Sequence, residues 1–190
     1  DRMLVIFPFE TELYEKAGVP VEFVGHPLVD LAVPSRDRHD ILASVGLDAM
    51  QPVVALLPGS RPNEVSQILP VLVDAMPVIA ARAPGVQFLV ARAPALDDGL
   101  FAPLGAARAS GVPLAVLSGA ADDVLSAADV VVTASGTATV QAAMHGRPMV
   151  IVYRLSPLTY AIGRRFVRVE TFGMVNLVAG QAIVPELIQE

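Results

Sequence analysis

Two short strings combine residue types that hold phosphate groups. Pro58-Gly59-Ser60-Arg61 follows an apolar run. Gly59 lets the backbone approach a ligand closely, Ser60 caps or donates, and Arg61 presents a planar fork of donors. The set suits a diphosphate. An ordinary strand-to-helix turn with a surface arginine accounts for it equally well. Ala134-Ser135-Gly136-Thr137 opens a helical stretch. Two hydroxyls flanking a glycine at a helix start, where free N–H groups and the dipole favour an anion, again fit a phosphate. A capped helix without a ligand is the plainer alternative. Two such turns on one sheet favour a nucleotide-diphosphate site over either turn alone. Gln141 lies one helical turn beyond Thr137, on the same face. It either reaches a ribose or is a polar residue on a half-exposed helix. Neither a GxGxxG fingerprint nor a GxxxxGK[ST] loop occurs.

Other chemistries are excluded by what the chain lacks. It has no cysteine, which removes disulfides, thiolate catalysis and zinc–sulfur sites. His26, His39 and His145 are scattered with no HxxxH spacing, so neither a metal nor a cofactor is expected. His145, next to Gly146, is expected to cap a helix C-terminus. No Ser-His-Asp set is legible, and Ser60 and Ser135 fit helix caps better than nucleophiles. The net charge is −6, which argues against nucleic acid as a partner. One segment departs from that balance. Tyr153 to Arg168 holds Arg154, Arg164, Arg165 and Arg168 with no acid, interleaved with Tyr153, Tyr160 and Phe166. It reads either as a contact for membrane or substrate phosphates or as an amphipathic helix with a solvated basic face.

These residues must be positioned by a sheet. VVALL (53–57), VQFLV (86–90), PLAVL (113–117), DVVVT (129–133) and PMVIV (148–152) are continuous apolar runs, the pattern of strands covered on both faces. Helical stretches are expected at about 40–45, 64–83, 97–109, 121–128 and 136–146. The alternation predicts an α/β doubly wound parallel sheet, with ligands at the strands' carboxyl ends. Pro70 and Pro77 predict a break or kink in the stretch 64–83, leaving a loop and a shorter helix. MLVIF (3–7) and VEFVG (21–25) read as two further strands, separated from the rest by the polar segment 33–40. The expected division is therefore 1–32, the end of another domain, and 33–190, one nearly complete domain. A composition 54% apolar and 17% charged can bury a large core and leaves apolar surface for a partner, a lipid or another domain. No run of 18 apolar residues is free of polar interruption, so no spanning helix is expected. The chain opens on Asp1 rather than a methionine, which points to a piece of a longer protein.

Several strings together resemble one family. FPFE (7–10), FVGHPLVD (23–30), LLPGSR (56–61), TASGTATVQAA (133–143), RPMVIVYRLSPLTY (147–160) and NLVAGQAIVPELIQE (176–190) are similar, in order and over the whole chain, to lipid-A-disaccharide synthase. PGSR and SGTAT are shared widely among sugar-nucleotide enzymes; the last two strings are far more specific. The resemblance implies a Rossmann-like half of a GT-B glycosyltransferase, the half that binds the UDP-sugar. It implies inverting transfer of 2,3-diacylglucosamine from UDP-2,3-diacylglucosamine to 2,3-diacylglucosamine 1-phosphate, forming the β-1,6 lipid A disaccharide and UDP. It further implies a cytoplasmic enzyme peripheral to the inner membrane of a Gram-negative bacterium. Arg61 would contact the diphosphate, and Ser135, Gly136 and Thr137 would cradle it. Asn176, which no spacing singles out, would join the nucleotide-sugar site. The general base would lie in an N-terminal domain outside this chain, so the chain alone is expected to be inactive.

Two departures stand out. The family has Glu where this chain has Gln141, and in related enzymes that carboxylate takes both ribose hydroxyls. Gln141 can accept through one atom only and its NH₂ must find an acceptor, which predicts UDP binding weaker by about 1–2 kcal/mol than with Glu. Met174-Val175 replaces a Leu-Pro pair before Asn176. Two other readings remain open from the residues: an isomerase like UDP-N-acetylglucosamine 2-epimerase, and a non-catalytic nucleotide-binding module. Oligomeric state and acyl-chain length are not legible.

Overall fold

Six parallel strands order the molecule. The computed structural model describes residues 1–154 and 173–189. The first 23 residues form a small unit, with β1 (Met3–Val5), α1 (Pro8–Lys16) and β2 (Val21–Phe23). β1 and β2 pair in parallel with each other and with no strand of the larger sheet. The helix between them was not expected. It is capped by Glu10, whose carboxylate accepts the Phe7 N–H at 3.0 Å. A short turn of helix, α2 (Leu28–Leu31), leads to the polar linker, and α3 (Arg38–Ser44) is capped by the Asp37 side chain.

Then come β3 (Val53–Leu57), α4 (Pro62–Arg82), β4 (Gln87–Arg92), α5 (Leu104–Ala109), β5 (Leu114–Ser118), α6 (Ala121–Ala127), β6 (Val130–Ala134), α7 (Thr137–Met144), β7 (Met149–Tyr153), α8 (Met174–Ala179) and β8 (Glu186–Ile188). The sheet order is β5-β4-β3-β6-β7-β8, all parallel. This is the doubly wound order, with its reversal between β3 and β6. Side chains alternate across the strands. Val53, Ala55, Leu57 and Leu89 face a core built with α3, α6 and α7. Leu56, Phe88 and Val90 face the opposite core, built with α4 and α5. Burial on both faces is why the strands read as unbroken apolar runs.

Two expectations are corrected. The stretch with Pro70 and Pro77 is one continuous helix of 21 residues, not a loop and a shorter helix. Val65, Ile68, Leu69, Leu72, Val73 and Met76 form an unbroken stripe against the sheet. Both prolines fall off that stripe, Pro70 half-buried and Pro77 exposed, and the packing of the stripe against the sheet holds the helix together. By length and composition α4 is also able to cross a membrane, although here its apolar stripe covers the sheet. The second correction is in the stretch 97–109: a 3-10 turn (Asp98–Phe101) precedes α5, with Pro103 between them.

The linker is tied to the larger sheet's layer by ions. Ser35 donates its N–H (2.6 Å) and its hydroxyl (3.0 and 2.8 Å) to the Asp123 carboxylate, and Arg36 adds two bonds to the same group. Arg38 forks onto Asp129 (2.9 and 3.1 Å) and donates to the Ala127 and Gln51 carbonyls. Burial alone would raise the Asp123 carboxyl, but the Ser35 and Arg36 bonds hold it below the ordinary range. Burial likewise opposes Asp129, which the Arg38 bond and the Val53 N–H hold low.

Candidate functional site

The corners after β3 and β6 meet in one cleft. Because β3 and β6 are neighbours at the reversal of strand order, their carboxyl-end loops leave the sheet side by side. The cleft has a volume of about 520 Å³. Gly59, Ser60 and Arg61 line it from one side and Ser135, Gly136, Thr137 and Gln141 from the other. Gly59 has φ +117° and Gly136 has φ +152°, conformations that favour glycine. At Gly59 a Cβ would also stand 2.7 Å from the Glu64 carboxylate, so this turn admits no side chain.

Glu64 holds the first corner closed. Its carboxylate accepts the N–H groups of Ser60 (3.2 Å) and Arg61 (3.3 Å) and pairs with the Arg61 guanidinium at 2.6 Å. A chain carboxylate thus sits on the donors that suit a phosphate. The Glu64 bond raises Arg61's affinity for its proton, so the guanidinium stays charged. Its side chain is 78% exposed, which leaves it free to turn to a ligand. Ser60 and Ser135 are not the caps expected of them: the N-cap positions are Arg61 and Gly136. In the second corner, Thr137 and Ala138 at the N-terminus of α7 line the cleft, while the next N–H, that of Thr139, already donates to the Gly136 carbonyl at 3.0 Å.

Gln141 has found its acceptor inside the protein. Its Nε2 donates to Asp122 Oδ1 at 2.7 Å. His145 Nε2 meets the same oxygen at 2.9 Å, and the imidazole is 7% exposed. His145 does stand at the C-cap of α7, but its ring is spent on Asp122 rather than on the helix carbonyls. Asp122 lines the cleft and was missed in the sequence. The signal was available, since it opens the helix that follows a strand's carboxyl end. Arg92, at the end of β4, was also missed; it lines the cleft, pairs with Asp98, donates to the Leu96 carbonyl at 2.6 Å and lies over the Phe101 ring.

Asn176 is not brought to the cleft. It is fully buried in α8, where Nδ2 donates to the Val184 carbonyl (2.9 Å) and Glu186 (2.6 Å) and Oδ1 accepts from the Ile183 and Val184 N–H groups. Both donors and both lone pairs are used, so Asn176 pins the approach to β8. Arg154 is exposed beyond β7; Arg164, Arg165 and Arg168 lie outside the described residues. Among the described residues one exposed cluster, Asp37, His39 and Asp40, gathers ligand-type atoms within 4.8 Å of one another. There Asp37 serves as the cap of α3, accepting the Asp40 N–H at 2.9 Å, and none of the three lines the cleft.

The parallel strand order with its reversal between β3 and β6 is that of one Rossmann-like half of the GT-B glycosyltransferase fold. Solved structures of that kind share the fold. The Anabaena protein Alr3699/HepE, determined with UDP-glucose, matches 78% of this chain and 44% of its own at TM-score 0.51 and 17% identity. Escherichia coli ADP-heptose heptosyltransferase II matches 65% of this chain and 39% of its own, at TM-score 0.51 and 19% identity. The family model for lipid-A-disaccharide synthetase matches residues 1–190, and the chain belongs to that family. The lipid-A-disaccharide synthases of Geobacter sulfurreducens and Geobacter metallireducens are each 48% identical over 190 residues, all of this chain. The chain spans about half the length of these relatives, 49% of each. Family membership sets aside the isomerase reading.

Proposed function

We propose that this chain is the donor-binding part of a lipid-A-disaccharide synthase and that its cleft holds a UDP-linked sugar, UDP-2,3-diacylglucosamine. The acceptor is 2,3-diacylglucosamine 1-phosphate, and transfer yields the β-1,6 disaccharide and UDP. The observation that carries this reading is the convergence of Arg61 with Ser135, Gly136 and Thr137 on one cleft at the strand-order reversal. Residues 33–190 form the sugar-nucleotide domain and residues 1–32 close the acceptor domain. Their separate sheets and the ion-paired linker support that division.

The chemistry follows from charge. As the glycosidic bond to UDP breaks, negative charge gathers on the leaving diphosphate. The α7 N–H groups and Arg61 stabilise it without a metal, and loss of one such donor costs about 2.7–4 kcal/mol of barrier by analogy with oxyanion holes. Arg61 exchanges Glu64 for phosphate as the ligand enters. The base that activates the acceptor hydroxyl belongs to the part of the enzyme this chain does not span. Arg154, with Arg164, Arg165 and Arg168, meets acceptor or inner-membrane phosphates on the cytoplasmic side.

Calorimetry with UDP tests the reading. The chain is expected to bind UDP without turnover, and Arg61→Ala to weaken binding by about 1.5–3 kcal/mol, the worth of a charged hydrogen bond. No heat and no rise in melting temperature at millimolar UDP would favour a non-catalytic module instead.

A further inference from the structure

Among the described residues that line the cleft, Asp122 carries the one charge not paired with an arginine or lysine. Among the described cleft residues, Arg61 is matched by Glu64 and Arg92 by Asp98. Asp122 has neither kind of partner. Its Oδ1 is held by two N–H donors, Gln141 Nε2 and His145 Nε2. Its Oδ2 receives no hydrogen bond from any described residue, and the side chain is 25% exposed at the cleft wall. The neighbouring Asp123 is turned away, onto Ser35 and Arg36. His145 is buried and does not line the cleft, so it acts only through the carboxylate.

A ligand entering this cleft strips water from Asp122, and the cost is recovered only if the ligand supplies a donor. Phosphate oxygens cannot; a hydroxyl or a ring N–H can. The cleft is therefore sorted by polarity, with donors for phosphate at the β3 and β6 corners and an oriented acceptor on the wall between α6 and α7.

We propose that Asp122 accepts hydrogen bonds from the nucleoside part of the bound ligand, its ribose hydroxyls or its base N–H. Gln141 and His145 are the positioning residues that fix it. This inference rests on the UDP-site reading and names which end of the ligand Asp122 recognises.

The test is calorimetry on the whole chain with UDP, inorganic pyrophosphate, 2′,3′-dideoxy-UDP and base-N-methylated UDP. Asp122→Asn is expected to weaken UDP at least tenfold and leave pyrophosphate unchanged. One of the two edited ligands is expected to bind the wild-type chain at least tenfold more weakly than UDP, and which one tells ribose from base. The Asn variant is expected to lose that discrimination. Gln141→Ala and His145→Ala shift UDP in the same direction by smaller factors and spare pyrophosphate, which a merely structural defect would not do. Equal losses of UDP and pyrophosphate in Asp122→Asn would overturn the inference. So would wild-type chain binding both edited ligands as tightly as UDP, a result that needs no variant to fold. Wild-type chain that binds no UDP overturns the donor-site reading and this inference with it; a failure confined to the Asp122 comparisons overturns this inference alone.

Discussion

Gln141 shows how one side chain changes meaning once its neighbour is known. From the sequence, a glutamate there is expected to improve UDP binding. In the fold the amide donates to Asp122 at 2.7 Å, so a glutamate would set two carboxylates in contact and remove a bond. Gln141→Glu is accordingly expected to weaken UDP binding by about 1–2 kcal/mol, measured by titration; a tighter complex than wild type would refute it. Asn176 offers the converse case. Only its position in the family resemblance pointed to a ligand, yet four hydrogen bonds within the protein consume it. Gly59 and Arg61 were legible because their types suit one backbone geometry and one charge. Asp122 was not, because its importance lies in Gln141 and His145, 19 and 23 residues away.

At the scale of elements, apolar runs placed five strands of the larger sheet within a residue or two. β3 coincides with its run and the other four start one residue later; in β5 and β7 the residue left out is Pro113 or Pro148, which cannot donate to a ladder although its carbonyl accepts from a neighbouring strand. β8 and α8 were not expected, since their short segments show no strong period. α4 was misjudged because local rules weigh a proline's missing N–H and cannot weigh six buried side chains on one stripe. Proline nevertheless remains costly in a helix interior. Pro77, exposed and off the stripe, is the place to recover that cost. Pro77→Ala is expected to raise stability by about 1–2 kcal/mol in urea unfolding. An unchanged or lower midpoint would refute that expectation.

Over the whole molecule, the ionic linker joins the two units. Asp123 and Asp129 have folded-state pKa values below their ordinary value of 3.8. Their contribution is therefore complete above that value and is lost as pH falls through it toward the folded values. The urea midpoint is expected to hold steady down to about pH 5 and to fall below about pH 4. Asp123→Asn should flatten the acid limb and lower stability near neutrality by about 1–3 kcal/mol; an acid limb as steep as that of the parent would sink this account. The first 33 residues also expose Leu13, Val29, Leu31 and Val33, each more than 60% accessible. That apolar surface is what the proposed acceptor domain would cover.

Burial on both sides of a sheet leaves an apolar run in the chain, and tight glycine turns and fixed charges leave recognisable residue types; these local demands made the α/β class and the two phosphate-suited corners readable from residue order. Which corners share a cleft, which polar groups are already spent on one another, and whether a proline interrupts its helix depend on groups far apart in the chain. Strand order brought β3 beside β6, packing kept α4 whole, and the approach of α6 to α7 gave Gln141 and His145 their carboxylate. Such contacts exist only after the chain has closed on itself, because their energies come from proximity in space rather than from spacing in the sequence.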